Sequence, residues 1–251
     1  MTLNRLKRPD EKARLKTIFI RLRAIIGSIL FLGLLSAAGA LLLFAWLAEA
    51  VLEDDTHAFD ETVRTFINGF ASESMTALMN FVTILGSTLF LSIAFVCILI
   101  IFIRIGWKRS TVLFITTMVG VVILNFVLKV SFARTRPIPF FDTPLPNSYS
   151  FPSGHALFAA CFYGVLAWLI AGKIRKRWLK NLIWVISISL ILLTGLSRIY
   201  LGVHYPSDVI ASYAAATVWV LTIMFMDLLV RTKTRFIKKH DLNNKSNNRS
   251  L

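Results

Sequence analysis

The stretch Ser197-Arg198-Ile199-Tyr200-Leu201-Gly202-Val203-His204-Tyr205-Pro206-Ser207-Asp208 separates two long apolar runs, 181–197 and 208–230. A helix needs roughly 20 apolar residues to cross a bilayer. The stretch therefore reads as the end of one membrane helix and the start of the next. It places an arginine, a histidine and an aspartate where ionisable groups are costly unless paired or functional. Two expectations follow: an all-α integral membrane fold, and chemistry at helix ends.

Working outward, further apolar runs lie at about 24–48, within 75–103, and at about 111–130 and 155–172. That predicts six transmembrane helices in one unit over 24–230. Before it comes a basic, amphipathic segment, 1–23; after it, a basic and then Asn/Ser-rich tail, 231–251, expected to be disordered. Gly33, Ser36, Ala37, Ala38, Gly39 and Ala40 suit the first span to close helix packing. Ala48-Glu49-Ala50 resembles a signal-peptide cleavage site, but the run before it is too long for a signal core, so a retained helix is expected. In the acidic segment 49–75, Phe59, Val63, Phe66, Ile67 and Phe70 recur at helical spacing, with Asp60, Glu61, Arg64 and Asn68 between them. This reads as a short amphipathic helix, either lying at the membrane interface or packed on the protein's outer ends. Asn80 and Gly86 suggest that the second span tilts or begins outside the hydrocarbon.

The 251 residues are 56% hydrophobic and carry a formal net charge of +15. The cations flank apolar runs, which points to anionic headgroups rather than nucleic acid. Of 28 Lys and Arg, eight lie in 1–23, three in 104–109, five in 173–180 and seven in 231–251. The positive-inside rule puts all four segments, and hence both termini, in the cytoplasm. The other five are Arg64, Lys129, Arg134, Arg136 and Arg198, and four of these lie beside the histidine stretches on the opposite face. Cys97 and Cys161 sit inside apolar runs and read as small buried hydrophobes. The sequence contains no zinc-ligand spacing, no Walker loop and no internal repeat.

Three stretches hold the candidate chemistry. Lys129 and Arg136 are seven residues apart, on one face if the helix continues, although Pro137 disfavours helix at Arg136. Pro152-Ser153-Gly154-His155 immediately precedes the fourth span. Ser153 is a natural N-cap there, and the free N–H groups of a helix start bind phosphate well. The third is the opening stretch. The six-span topology brings all three to one face. Lys129, Arg136, Arg198 and the N–H groups around Ser153 and Gly154 offset the charge of a phosphate. His204 attacks phosphorus and His155 serves as acid and base. Asp208, four residues after His204, accepts its ring N–H and fixes the tautomer. With side chains carrying the charge, neither a metal nor another cofactor is required. Arg134 lies outside these patterns and reads as a snorkelling residue. Phe140, Phe141, Tyr149, Phe151, Tyr200 and Tyr205 read as an interfacial aromatic belt.

These residues resemble the type 2 phosphatidic-acid phosphatase superfamily, whose signature is Lys-x6-Arg-Pro, Pro-Ser-Gly-His and Ser-Arg-x5-His-x3-Asp. Here the three parts run from Lys129 to Pro137, Pro152 to His155 and Ser197 to Asp208, without departure. The resemblance implies an all-helical, multi-pass cell-membrane enzyme with a metal-free phosphohistidine mechanism and an extracytoplasmic site. It also implies a lipid substrate ending in a phosphate or diphosphate, as for phosphatidylglycerophosphatase B-type and undecaprenyl-diphosphate phosphatases. The motifs do not separate those two, and oligomeric state stays open. Two other readings share the residues: a lipid phosphotransferase using the same site, and a transporter using the cations only for binding.

Overall fold

The computed structural model describes residues 11–141 and 146–247, with side chains over 30–141 and 146–233. Eight helices account for the regular structure there: α1 (Glu11–Leu52), α2 (His57–Asn68), α3 (Glu73–Leu85), α4 (Thr88–Arg104), α5 (Lys108–Phe132), α6 (Gly154–Ala171), α7 (Arg177–Tyr200) and α8 (Pro206–Asn247). Five are long and apolar enough to cross a membrane alone, within α1, α5, α6, α7 and α8. α3 and α4, bent by 45° at the break between them, pass the same test together, which makes six spans if the pair is one. The all-helical, multi-pass reading holds.

The bend has a local cause. Gly86 and Ser87 interrupt the helix, and Ser87 starts α4 by accepting the Phe90 N–H at 3.2 Å. At Gly86 a Cβ would lie 2.1 Å from the Thr194 side chain of α7. The glycine thus lets the end of α3 pass against α7, and the chain changes direction there.

α6 is the central helix, in contact with α5, α7 and α8. Its sequence permits that position, because Ala156, Ala159, Ala167 and Ala171 are all buried and let neighbours approach closely. Of its apolar window 61% is buried inside the protein, against 6% for α1, which packs along α8 from outside. Leu47, Ala48 and Val51 of α1 nevertheless form a core cluster with Phe151 and Ala211, so the segment resembling a cleavage site is built into the fold.

One expectation changes. The tail is helical to Asn247, not disordered: α8 runs on through 231–247, because extending a formed helix needs no new nucleus and Lys and Arg are good helix formers. Residues 1–10 and 248–251 lie outside the described residues. α2 packs across the C-terminal end of α7 and the N-terminal end of α8 with its polar side inward. Asp60 and Arg64 are buried, while Phe59, Phe66 and Phe70 are exposed.

Candidate active site

α5 ends one turn after Lys129. Ala133 closes it in the left-handed region, with φ 43° and its N–H donating to the Lys129 carbonyl at 3.0 Å. Lys129 and Arg136 therefore do not share a helix face. Arg136 reaches the site on the non-helical segment beyond the helix end, as Pro137 requires.

The Arg136 side chain makes more hydrogen bonds than that of any other predicted residue. Nε donates to the Ser148 carbonyl at 2.8 Å, and Nη2 donates to Ser148 Oγ at 3.0 Å and the Tyr149 carbonyl at 3.3 Å. Nη1 donates to the Val203 carbonyl at 2.9 Å and meets His204 Nε2 at 3.0 Å. A guanidinium has no acceptor atom, so Nε2 accepts and the ring proton sits on Nδ1. That proton faces Asp208 Oδ2 at 3.3 Å. Ser150 Oγ lies 3.4 Å from the same nitrogen and donates to the same carboxylate oxygen. The expected His204–Asp208 pair is present, and the tautomer leaves the Nε2 lone pair facing Arg136.

His204 is 1% exposed. Burial, aided by the charges of Arg136 and Arg198, pushes its pKa down to about 3 against the pull of Asp208. The ring is neutral at neutral pH. The turn before it uses Gly202 at φ 72°, where a Cβ would also lie 2.7 Å from the Phe140 backbone nitrogen.

The remaining predicted residues converge on the same end of the bundle. Lys129 Nζ donates to the Tyr149 carbonyl. Arg198 is anchored to α3 through Nη1 and Thr83 Oγ1 at 2.7 Å, while its buried Nε has no partner. Ser153 occupies the N-cap position of α6, but its hydroxyl makes no capping bond and is also buried without a partner. The capping role expected of its side chain is thus not realised. Gly154 opens α6 beside Lys129: a Cβ there would lie 3.9 Å from Lys129 Cε and 3.4 Å from Asn125 Oδ1, another buried atom without a partner. His155 follows, within electrostatic reach of Lys129, Arg136, Arg198 and His204. Orphaned buried polar atoms are rare in folded proteins. Here they flank three cations and a helix N-terminus, the donor set an oxyanion takes up. Among the described residues no three or more His, Cys, Asp or Glu side chains gather as for a metal ion.

Sequence reasoning missed the support beneath Asp208. Arg134 donates Nη1 to Asp208 Oδ1 at 2.7 Å and to Ser207 Oγ at 2.8 Å. Its Nη2 donates to Asp60 Oδ2 at 2.8 Å and Thr56 Oγ1 at 2.9 Å. Its guanidinium also lies 4.0 Å from the Tyr205 ring centroid. Asp60 accepts from the Ser207 N–H at 2.9 Å and from Ser207 Oγ at 2.7 Å. Burial disfavours the charged guanidinium, but Asp208 and Asp60 outweigh it and raise the Arg134 pKa above its ordinary value. Arg134 is a buried bridge between two carboxylates, not a snorkelling residue. Its one sequence signal was membership of the small group of cations away from the basic turns. Two of the six belt aromatics do not fit that reading: Phe151 is fully buried, and Tyr200 is buried against Phe141 with its hydroxyl 2.8 Å from Thr76 Oγ1. Tyr149 is exposed.

Residues 110–230 match the sequence profile of the PAP2 superfamily. A phosphatidylglycerophosphatase B of Bacillus subtilis is 38% identical over 95 residues, which are 37% of this chain and 45% of that one. An undecaprenyl-diphosphatase of Sulfolobus acidocaldarius is 35% identical over 115 residues, 43% of this chain and 52% of that one. The chain thus spans about half the length of these curated relatives. The crystal structure of a transmembrane PAP2-type phosphatidylglycerolphosphate phosphatase from Bacillus subtilis superposes with a TM-score of 0.71 at 27% identity, covering 78% of this chain and 97% of that one.

Proposed function

Because this chain carries a PAP2 superfamily domain, we propose that it is a lipid phosphatase, removing the terminal phosphate of a lipid phosphate or diphosphate through a phosphohistidine on His204. One observation carries the reading. His204 is held between Asp208 on Nδ1 and Arg136 on Nε2, so its lone pair points at the group that binds phosphate oxygens.

The proposed cycle has two displacements. The phosphate enters among Lys129, Arg136, Arg198, the Ser153 hydroxyl and the first N–H groups of α6. Arg136 moves from His204 Nε2 to a phosphate oxygen. Nε2 attacks phosphorus, the bond to the leaving oxygen breaks, and His155, which takes up a proton as the phosphate's negative charge arrives beside it, gives that proton to the leaving oxygen. Asp208 stabilises the charge that develops on the His204 ring. In the second step His155 takes a proton from water as the water oxygen attacks phosphorus, which releases inorganic phosphate and neutral His204. The cations act throughout as preorganised charge, needing little rearrangement as the transition state forms. The substrate's chains stay in the bilayer, and the site works at the extracytoplasmic face.

The names of the similar proteins make phosphatidylglycerol phosphate and undecaprenyl diphosphate the first substrates to test. The purified protein, reconstituted with each and with phosphatidate, is expected to release phosphate in the presence of EDTA. His204→Ala is expected to lower turnover by at least about 1,000-fold. A requirement for a divalent cation, or activity that survives His204→Ala, refutes the mechanism.

A further inference from the structure

The end of the bundle away from the histidines holds a second charged site. A cavity of about 640 Å3 opens between α1, α5, α6 and α8. Its walls include Gly33 and Ala37 of α1, Trp168 of α6, and Leu221 and Phe225 of α8. Arg109, Lys173, Arg231 and Asp227 line it as well. Arg109 donates Nε and Nη2 to the two oxygens of Asp227, and Arg231 Nε donates to the same carboxylate at 3.1 Å. One carboxylate thus answers three cations among the described lining residues.

The cavity is separate from the histidine site. Arg109 and Lys129 lie at opposite ends of α5, as Asp227 and Asp208 lie about five turns apart on α8. At 1.5 Å per residue each separation is about 30 Å, the thickness of the hydrocarbon core. The cavity therefore lies at the opposite membrane surface.

We propose that this cavity binds an anionic phospholipid of the leaflet opposite the histidine site. The phosphodiester meets Lys173, Arg109 and Arg231, and one acyl chain lies in the apolar part between α1 and α8. The chemistry selects this occupant over the alternatives. A free anion satisfies the charge but leaves the apolar walls bare. A zwitterionic lipid fills the walls but brings a cation to a mouth with a positive excess. Gly33 and Ala37 leave room for a chain, and Leu34 beside them is 69% exposed, so the cavity opens toward lipid. The occupant joins α1, the least buried span, to α6 and α8. The inference stands on the spanning fold and does not depend on the phosphatase reading.

Thermal unfolding of the full chain in delipidated maltoside micelles tests it, with phosphatidylglycerol, phosphatidylcholine or inorganic phosphate added. Phosphatidylglycerol is expected to raise Tm by about 5 °C near saturation, with little change from the other two. Lys173→Gln/Arg231→Gln, which keeps the Arg109–Asp227 pair, should lose most of that rise, and Arg136→Gln should retain it. Gly33→Leu is the second variant: a Cβ there meets nothing within 4 Å, so the fold tolerates it while the leucine fills the chain's place. It too should lose the rise. An equal rise with phosphatidylcholine or phosphate overturns the proposal. So does a rise kept by both cavity variants, or one lost in Arg136→Gln instead.

Discussion

At the scale of the residue, the largest revision concerns Arg134. Its position two residues before Arg136 gave it no role, yet it pairs with two fully buried carboxylates, Asp208 and Asp60. Removing one partner from a buried ionic network leaves the others uncompensated. Arg134→Gln is therefore expected to destabilise the protein by about 3–5 kcal/mol and to lower turnover, measured by thermal unfolding and phosphate release. Arg134→Lys should recover only part of both, because an ammonium does not reproduce the planar fork. His204 makes a separate prediction, about pH. Its folded pKa of about 3 lies below the ordinary value of 6.5. The unfolded chain thus binds a proton that the folded one refuses between those values, and stability from this group is full above about 6.5 and falls as pH drops toward 3. Replacing His204 with Gln should flatten the fall in Tm between pH 7 and pH 4. Unchanged acid sensitivity counts against a neutral buried ring.

At the scale of the element, α2 and the bent α3–α4 pair show how local pattern and packing can part company. The apolar spacing in α2 was legible, but the spacing is silent on which side meets the protein. Arg64 settles it: it donates to the Ile138 carbonyl at 2.8 Å and lies over the Phe140 and Tyr205 rings, which ties α2 to the segment after α5. The polar side of α2 is occupied by partners, and its phenylalanines face away from the protein. The second span was legible as apolar, whereas its break was only hinted at by Gly86. That glycine now carries a prediction. Gly86→Val places a side chain into Thr194 and forces α3 away from α7, at a cost of about 1–3 kcal/mol. Because Thr83 of α3 holds Arg198, the same change should raise KM for the lipid phosphate. An unaltered KM places Arg198 under the control of α7 alone.

For the whole molecule, the helix directions put the turns at 104–109 and 173–180 at one end and the three motif stretches, 129–137, 152–155 and 197–208, at the other. The positive-inside rule predicts that the basic end faces the cytoplasm. In a Cys97→Ala background, Ile138→Cys, at an 85% exposed position, should react with an impermeant maleimide in intact cells. Trp178→Cys, at a 63% exposed position, should react only after lysis. The opposite pattern inverts the topology and places the site inside. The proposed lipid cavity sits at the basic end, so the two membrane surfaces would carry separate anion sites joined by α5, α6 and α8.

The sequence by itself determined the all-helical spanning architecture and the grouping of Lys129, Arg136, Ser153, His155, Arg198, His204 and Asp208 at helix ends. Hydropathy, basic flanks and motif spacing are local properties, each written within one or two turns of chain. Only the tertiary structure decided what holds those groups in place. The Arg134–Asp60 contact spans 74 positions and Ser207–Asp60 spans 147. Such pairings depend on which helix faces meet, and each is a choice among many polar residues that look alike in the chain. The same holds for Ser153, whose sequence fits a helix cap. Its hydroxyl makes no such bond and is left buried among cations, at the place where a phosphate is proposed to bind.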